Sequence, residues 1–573
     1  MGKNWRSERF YFKRGVFQGD PLSPTIFITV FNPLLEYLQT EAKHGYHLTS
    51  ESPVITTPFA DDFNVITNNA KSHQRILLNV EKFAKTMNLV LEPSKCKSLS
   101  ICGGSSKVVK FKLSEQVINS IEESPEKFLG SQITFSGKQS DIFEYVYNGI
   151  NDALVNIENT SIRNEYKLKV YSRYLIPAIR FKLTVHELTA TNLSKLDQLC
   201  DRYIKKWLSL PQSGTRAVIH TPEALNIKSI SHLYKEAHAI SHATSRVKAD
   251  KFVNLALDGK VQRESEWVRK GSVAVYSEEK YQMAAESCSV ESIDKNYIDT
   301  IKKKVKDNIN EECKIMWYNH VKTLSVQGRF LELLHIEKSH VTWRSLIYNL
   351  PRGILQFAVN ASIDTLATNA NLKRWGKRRN AKCDLCSRRE TIHHVLNNCD
   401  LMLDRYTWRH NSILKYILSI VVTEPDSLYS DLTGMMTGCS TVPTDVLVTS
   451  QKPDLVVVNR IDKKLTLLEL SVPFEQNIDS THQYKIDRYR NLISDIENNG
   501  FNVKYYAIEI GSRGHISAEN LQRLKSFVHN HCKDSKFQHV RDIISKISLV
   551  CSFIIYHSKY EIDWISPAYV RFD

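Results

Sequence analysis

The chain has 573 residues, of which 42% are hydrophobic and 24% are charged, and its formal net charge is +15 at pH 7. This length exceeds one compact core and predicts several domains, while the ordinary apolar content argues against a fibrous or wholly disordered chain. The positive charge favours DNA or RNA as the partner, because basic side chains release counterions from a polyanion; an anionic membrane surface is the weaker alternative.

Targeting signals and cysteine spacing bound the compartment. The N-terminal residues MGKNWRSERFYFKRG contain no apolar signal-peptide core, and the longest apolar runs, such as ISLVCSFIIY, are about half a membrane span. Eleven cysteines are scattered without a framework spacing, and only the group from Cys383 to Cys399 has the spacing of metal ligands. We therefore expect an intracellular protein with no membrane partner, in which most cysteines are small core residues.

The first 135 residues mix short β-prone stretches with two apolar-periodic helices, Pro24 to Gln39 and Lys71 to Leu89, which predicts an α+β unit. FADD ends at Asp62, and a tight hairpin there would hold adjacent carboxylates where Mg²⁺ can bridge them to a triphosphate. Asp61 would be the metal ligand. Asp62, on the opposite face of the strand, would be a supporting carboxylate.

Together with RGVFQGDPLSP some forty residues upstream, FADD resembles the reverse transcriptases of non-LTR retrotransposons and group II introns. The resemblance implies that Gln18 and Gly19 place the incoming nucleotide and the template. It assigns Lys95, or Lys97, to the nucleotide phosphates, and KFLG, which ends at Gly130, to the primer-grip turn. The implied partners are element RNA, an RNA–DNA hybrid and, where the palm is complete, dNTP.

The sequence departs from that family in one respect. Two-metal phosphoryl transfer needs a third carboxylate, which the family supplies from a strand several tens of residues before the Gln-Gly motif. Only 17 residues precede Gln18, and Glu8 is the acid among them. We therefore expect residues 1–135 to form a partial palm that does not polymerise DNA by itself.

Helical periodicity dominates from about Asp141 to Ile240, which predicts a helical thumb over residues 136–245. Residues 246–370 are charged and contain KKKVK at Lys302 to Lys306. They carry no motif with a recognisable chemistry, and we expect a helical connector of unknown role.

Residues 371–412 are predicted to form a basic segment and a zinc knuckle. The motif C-x2-C-x7-H-x4-C has ligand spacing for tetrahedral Zn²⁺, and its ligands would be Cys383, Cys386, His394 and Cys399. His393 is an alternative ligand, but the spacing of the resembled family selects His394. Basic residues around an aromatic side chain are typical of a nucleic-acid contact surface. Here they are Lys373, Arg374, Trp375, Lys377, Arg378, Arg379 and Lys382.

The segment KPDLVVVNRIDKKLTLLELSVPFE predicts two strands, Leu455 to Val458 and Leu465 to Leu470, around a polar turn. An antiparallel hairpin of this length brings Asp454 and Glu469 together, so that they can share Mg²⁺ or Mn²⁺. The arrangement resembles the PD-(D/E)xK nucleases, in which the metal polarises the scissile phosphate and lowers the pKa of an attacking water.

The lysine that usually follows the acid is replaced by Ser471. In the restriction-like endonucleases of early-branching non-LTR elements, especially those inserting into ribosomal RNA genes, this lysine comes from the next helix. Lys485 fits that position, with Tyr489 one turn later on the same face. Glu475 is a candidate extra acid. A restriction-endonuclease-like α/β domain is therefore predicted over residues 440–573.

The predicted fold class is multidomain α+β: a partial reverse-transcriptase palm, a helical thumb, a small zinc knuckle and an α/β nuclease domain. The motif order resembles an N-terminally truncated reverse transcriptase of a ribosomal-DNA-inserting retrotransposon. That resemblance implies a nuclear enzyme of target-primed reverse transcription, which nicks target DNA for extension by an intact polymerase. The alternative is a catalytically inactive or domesticated nucleic-acid-binding relic. The segment Arg409 to Asn411 also resembles the family, but the sequence suggests no mechanism for it.

Overall fold

The structure is a computed structural model that describes residues 15–17, 19–49, 52–122, 125–247, 253, 295–336, 350–422, 427–432, 440–532 and 536–568. The chain divides into two compact units with interleaved sequences. The first contains residues 1–149, 180–189 and 234–308, and the second contains residues 150–179, 190–233 and 309–573.

The helices are numbered in chain order: α1 (Ser23–Thr40), α2 (Ala70–Thr86), α3 (Gln139–Glu158), α4 (Asn164–Val170), α5 (Ile176–Val185), α6 (Ala190–Trp207), α7 (Ala217–His220), α8 (Ile230–Val247), α9 (Lys295–Lys322), α10 (Arg329–Ile336), α11 (Arg352–Ser362), α12 (Asn369–Arg374), α13 (Ile392–Asn397), α14 (Leu403–Ile420), α15 (Ile478–Asn498), α16 (Ala518–His531) and α17 (Phe537–His557). A π-helical turn, Tyr171–Leu175, joins α4 to α5.

The strands are β1 (Tyr46–Thr49), β2 (Ser52–Val54), β3 (Lys97–Ser98), β4 (Ser100–Cys102), β5 (Ser105–Lys107), β6 (Phe111–Leu113), β7 (Gln116–Ser120), β8 (Glu126–Phe128), β9 (Ser131–Ile133), β10 (Leu428–Ser430), β11 (Leu455–Asn459), β12 (Lys464–Ser471) and β13 (Asn502–Glu509).

In the first unit, α1 and α2 pack around a small apolar core. Leu34 and Leu38 from α1 meet Ile76 and Val80 from α2, and all four side chains are buried. Helix α2 begins where the side chain of Asn69 accepts a hydrogen bond from the backbone N–H of Ser72, which satisfies a free donor of the first turn. Both helices predicted in this part of the sequence are present, and with the short strands β1 to β9 they confirm its α+β character.

The range 136–245 is helical, as its periodicity predicts, from α3 through α8. Its residues are nevertheless divided between the two units, since 180–189 and 234–245 cluster with the first and most of the rest with the second. The described parts of the predicted connector are also helical and form α9, α10 and α11. The thumb and connector boundaries remain predictions.

The second unit contains a mixed sheet in the order β10-β11-β12-β13. Strands β10, β11 and β12 pair antiparallel, and β12 pairs parallel with β13 after the crossover helix α15. Alternate residues of β11 and β12 face opposite sides. One side packs against α14, α16 and α17, and the other packs against α15. Because both faces are covered, these strands read as nearly continuous apolar runs such as LVVV.

No helix among the residues described here is both long and apolar enough to cross a membrane.

The mixed sheet should be sensitive to cavities at its centre. Leu468 in β12 is fully buried against α14, α16 and α17, whereas Ile461 in the β11–β12 turn is 96% exposed. Leu468→Ala should lower the free energy of unfolding by about 2–5 kcal/mol, measured by chemical denaturation, because it leaves a cavity. Ile461→Ala is the matched control and should change it by less than about 0.5 kcal/mol. Equal losses in both variants would contradict this packing.

Candidate functional site

The FADD motif forms a tight turn in the first unit. The backbone N–H of Phe59 donates to the Asp62 carbonyl oxygen at 2.7 Å, and the N–H of Asp62 donates to the Phe59 carbonyl oxygen at 3.0 Å. Ala60 adopts a φ of 53°, which closes the turn. The side chains of Asp61 and Asp62 are both exposed. The local chain thus has the hairpin shape that the motif predicts, while the metal-ligand role of Asp61 remains a prediction.

Three further residues were predicted to contact the nucleotide or the template: Gln18, Gly19 and Lys95. Gln18 lies outside the described residues, and Gly19 adopts a φ of 95° with open space around it. Lys95 is exposed at the end of a short 3-10 turn. No hydrogen bond or ion pair between described residues joins Gly19 or Lys95 to Asp61 or Asp62. The roles of Gln18, Gly19 and Lys95 therefore remain predictions.

The KFLG segment forms the connection between β8 and β9. Leu129 and Gly130 have φ values of 47° and 80°, the left-handed pair that suits a two-residue hairpin turn. A Cβ atom at Gly130 would lie 2.5 Å from Cε1 of Phe181. Glycine suits both the positive φ and the close contact with the Phe181 ring.

The four predicted zinc ligands converge in the second unit. Cys383, Cys386, His394 and Cys399 each offer a ligand atom, and these atoms lie within 4.8 Å of one another. The Sγ atom of Cys386 is 3.3 Å from Nε2 of His394. The loop that carries Cys383 and Cys386 is closed by a hydrogen bond from the Cys383 N–H to the Arg388 carbonyl oxygen. Helix α13, which carries His394, begins where the Thr391 hydroxyl accepts a hydrogen bond from the His394 N–H. Three thiols and one imidazole at this spacing fit tetrahedral Zn²⁺.

The alternative ligand His393 points away from this cluster. Its ring packs on Phe474 with 4.8 Å between centroids, and its Nε2 lies 3.4 Å from the side-chain nitrogen of Asn477. His394, not His393, is therefore the histidine of the zinc cluster.

Some side chains of the basic segment have partners within the protein. Arg378 donates to the side chains of Asn369 and Asp384, and Arg374 lies 3.7 Å from Asp364. These two arginines stabilise the local fold as well as carrying charge. Trp375 is half-buried at the end of α12. The remaining side chains are exposed and make no ion pair with another described residue; they are Lys373, Lys377, Arg379 and Lys382.

The nuclease-like hairpin brings its two acids into contact. Leu455 lies opposite Leu468 in the β11–β12 register, which sets Asp454 beside Glu469. The backbone N–H of Asp454 donates to Oε2 of Glu469 at 3.3 Å. Asp454 is 8% exposed and Glu469 is 4% exposed. Burial, together with the charge of Asp454, raises the pKa of Glu469 above its usual range, with Lys485 and Tyr489 opposing the shift.

Helix α15 places Lys485 over these carboxylates. Its Nζ atom lies 2.5 Å from Oε1 of Glu469, and its side chain is 18% exposed. Tyr489, one turn later, is fully buried and donates its hydroxyl to the Lys452 carbonyl oxygen at 3.1 Å. Ser471, in the position of the usual lysine, lies at the end of β12. Asp454, Glu469 and Lys485 thus form one cluster, the acidic cluster, where β11 begins and β12 ends.

Glu475 is not part of this cluster. It is 1% exposed, and its two oxygens accept hydrogen bonds from the backbone N–H and the Nε of Arg513, at 2.5 and 2.7 Å. The Arg513 guanidinium in turn lies over the rings of Phe330 and Phe474, at 3.9 and 4.4 Å. This ion pair is fully enclosed. Glu475, the candidate extra acid, is therefore occupied by a structural contact with Arg513.

Two histidines of the second unit contact buried carboxylates. His410 of α14 contacts Asp454; burial lowers its pKa, but the Asp454 carboxylate outweighs this effect and raises the pKa to about 9. His482, one turn before Lys485 on α15, lies 3.1 Å from both oxygens of the fully buried Glu509 at the end of β13. No local pattern indicates this role for His482, because its partner lies 27 residues away at the end of a strand.

The zinc cluster and the sheet share helix α14. The Tyr406 hydroxyl accepts a hydrogen bond from the N–H of Cys399 at 3.1 Å and lies 3.1 Å from the His394 carbonyl oxygen. One turn later on the same helix, His410 reaches Asp454. Asn397 donates to the Val472 carbonyl oxygen at 2.7 Å, directly after β12. A cavity of about 410 Å³ between these elements is lined by Asn397, Tyr406, Thr407, Arg409, His410, Asn411, Leu414, Asp431, Asp454 and Val472.

Comparison with known proteins identifies two domains. Residues 1–133 match the family described as "Reverse transcriptase (RNA-dependent DNA polymerase)", and residues 325–408 match "zinc-binding in reverse transcriptase". The chain therefore carries a reverse-transcriptase domain and its zinc-binding domain, which confirms the predicted zinc-knuckle region.

The whole chain resembles curated retroelement proteins. It is 25% identical over 567 residues to "Retrovirus-related Pol polyprotein from type-2 retrotransposable element R2DM" of Drosophila melanogaster, covering 91% of this chain and 47% of the relative. R2 Pol polyproteins of Bradysia coprophila and Popillia japonica are 25% and 26% identical over 227 and 206 residues, covering 38% and 35% of this chain. The chain spans 25% and 33% of those two relatives, and about half of the Drosophila protein.

Zinc binding should distinguish the two adjacent histidines. His394→Ala should lose the bound zinc, because it removes one of four ligands, whereas His393→Ala should retain about one zinc per chain. Atomic absorption on the purified variants measures this. Chelation of wild-type zinc should also lower the thermal unfolding midpoint by roughly 5 °C or more, since structural zinc contributes directly to folding. Zinc loss in the His393→Ala variant alone would contradict the ligand assignment.

Glu475 should matter for stability. Glu475→Ala leaves the Arg513 guanidinium buried without its partner, and it should lower the free energy of unfolding by about 3–5 kcal/mol. Glu475→Gln, which keeps the shape and one acceptor, should cost less. Chemical denaturation of both variants measures the difference. Unchanged stability in Glu475→Ala would contradict the structural role.

Proposed function

We propose that this chain, a homologue of the R2 non-LTR retrotransposon Pol polyproteins, is part of an RNA-directed DNA polymerase and endonuclease of target-primed reverse transcription. We propose further that metal-dependent nicking of target DNA is the activity of its C-terminal α/β residues. One observation carries the nuclease proposal: two buried acids, Asp454 and Glu469, are neighbours whose contact runs from the Asp454 backbone N–H to the Glu469 carboxylate, and Lys485 is 2.5 Å from that carboxylate.

The chemistry of these side chains suits phosphodiester hydrolysis. Asp454 and Glu469 offer the carboxylate oxygens that Mg²⁺ or Mn²⁺ prefers, and they would hold the ion. When bound, such an ion polarises the scissile phosphate and lowers the pKa of an attacking water. Lys485 orients that water or offsets the negative charge that develops on the phosphate. Ser471 at the end of β12 carries no cationic side chain, so the lysine from α15 would take the role of the strand lysine.

Nucleic-acid binding is proposed for the basic segment beside the zinc cluster. The four exposed cations there, Lys373, Lys377, Arg379 and Lys382, carry no ion pair to another described residue and can contact phosphates. Target DNA and element RNA are the proposed partners, and the nucleus is the proposed compartment.

Nucleotide addition is proposed for the first unit. Asp61 with Mg²⁺ would receive the dNTP, with Asp62 in support and Gln18, Gly19 and Lys95 around the template and the triphosphate. An RNA–DNA hybrid would then lie along the helices that follow. This part of the proposal rests on the reverse-transcriptase domain match over residues 1–133.

The second candidate function is a nucleic-acid-binding protein without chemistry. The exposed cations of the basic segment favour it, since they would bind polyanions whether or not the acidic cluster is active. The two candidate functions differ in whether the bound DNA strand is cut.

Nicking of a supercoiled plasmid in Mg²⁺ or Mn²⁺ separates them. Wild type should convert it to the relaxed form, and Asp454→Ala and Lys485→Ala should each reduce the rate by at least about a hundredfold, because each removes a charged group of the cluster. Asp462→Ala is the matched control, since Asp462 lies exposed in the turn of the same hairpin and should leave the rate unchanged. Equal nicking by wild type and Asp454→Ala, or none by either, would remove the nuclease proposal.

A further inference from the structure

The histidine of the Arg409–Asn411 segment sits at the acidic cluster. The Nε2 atom of His410 is 3.2 Å from Oδ2 of Asp454 and 3.2 Å from the carbonyl oxygen of Leu470. Both neighbours are hydrogen-bond acceptors, so Nε2 carries a proton and donates. The other ring nitrogen, Nδ1, lies 3.0 Å from Oδ1 of Asn411, which holds the ring plane from the opposite side.

The hydrogen bonds to the Asp454 carboxylate fall on one of its two oxygens. Oδ2 accepts from the backbone N–H of Leu470 at 2.7 Å and from His410 Nε2 at 3.2 Å. In the part of the chain that the structure describes, no such donor reaches Oδ1. Two donors from different elements, β12 and α14, therefore fix the rotation of the carboxylate and leave Oδ1 available to another partner.

Helix α14 is itself held firmly on both sides of His410. The Arg409 guanidinium is 1% exposed and donates to the Ser552 hydroxyl at 2.9 Å and to the Val472 carbonyl oxygen at 3.2 Å. Four residues before His410, on the same face, the Tyr406 hydroxyl is bound to the backbone at Cys399. The zinc-bearing segment and the body of the sheet thus set the position from which His410 reaches Asp454.

From this geometry we infer that His410 is a positioning residue for the divalent cation of the acidic cluster. It holds Oδ2 of Asp454 so that Oδ1 stays presented to the ion shared with Glu469. The inference rests on the proposed nuclease function and gives the Arg409–Asn411 segment a physical role: Arg409 anchors the helix, His410 orients the ligand and Asn411 orients His410.

Two amide variants separate orientation from packing. The side-chain nitrogen of glutamine reaches about as far as Nε2 of histidine, whereas that of asparagine reaches only about as far as Nδ1. His410→Gln therefore restores a donor to Asp454, and His410→Asn does not. His410→Ala removes the hydrogen bonds of the ring to Asp454, Leu470 and Asn411. Ser419→Ala, exposed at the end of α14, is the control on the same helix.

Binding of Mn²⁺ to the zinc-loaded full chain without DNA is measured by the electron paramagnetic resonance signal of free Mn²⁺, with Asp454→Ala defining the site. His410→Ala and His410→Asn should raise the dissociation constant about tenfold to a hundredfold, and His410→Gln should stay within about threefold of wild type. Zinc content should be the same in all variants. The maximal nicking rate at saturating Mg²⁺ should change less than the Mg²⁺ concentration that gives half of it.

Wild-type Mn²⁺ affinity in His410→Ala, or equal losses in His410→Gln and His410→Asn, would overturn the inference, as would an affinity unchanged by Asp454→Ala. If Asp454→Ala weakens Mn²⁺ binding but wild type does not nick DNA, the nuclease proposal fails. The cation measurements then still decide the role of His410. Should His410→Ala misfold and lose zinc, the comparison of the glutamine and asparagine variants decides.

Discussion

Two carboxylates buried side by side are the constraint around which the α/β part of this chain is arranged. Asp454 and Glu469 are each less than a tenth exposed, and adjacent buried negative charges are costly unless cations or hydrogen-bond donors compensate them. Lys485 from α15 and His410 from α14 supply positive partners from the two faces of the sheet, and the Leu470 N–H supplies a donor from within it. A structural role alone would be better met by apolar residues at these positions, which is why the cluster suggests chemistry.

Helix α14 connects this cluster to the zinc-binding segment. Tyr406 contacts the backbone of the zinc-ligand segment, Arg409 is buried against residues after β12 and within α17, and His410 contacts Asp454. Three side chains of one helix therefore contact the zinc-ligand segment, the body of the sheet and Asp454. The zinc-ligand segment and Asp454 therefore contact the same helix one turn apart.

The features that could be predicted from the sequence are those whose geometry follows from residues close together in the chain. The β11–β12 hairpin was predictable because its apolar runs, polar turn and flanking acids lie within one short segment. The C-x2-C pair indicated two of the zinc ligands, and the spacing of the resembled family selected His394. The two N-terminal helices followed from their periodicity. The resemblance supplied Lys485, whose place over Glu469 depends on the crossing of α15 and on no local signal.

What the sequence could not give were contacts between distant segments. His410 and Asp454 are 44 residues apart, and His482 and Glu509 are 27 residues apart, so only the packing of helices on the sheet brings them together. Glu475 was misleading for a related reason: its acidity suggested chemistry, but Arg513, folded over it from the loop after β13, encloses it. Arg374 and Arg378 likewise have acidic partners, Asp364 and Asp384, that a count of basic residues does not reveal.

We propose that Asp454 and Glu469 hold one divalent cation. Anomalous diffraction at the manganese absorption edge, from crystals of the zinc-loaded chain soaked in Mn²⁺, tests it most directly. We expect a manganese peak within coordinating distance, about 2.0–2.6 Å, of one oxygen from each carboxylate, with His410 still bound to Oδ2 of Asp454. A fully soaked crystal with no peak between these carboxylates would contradict it.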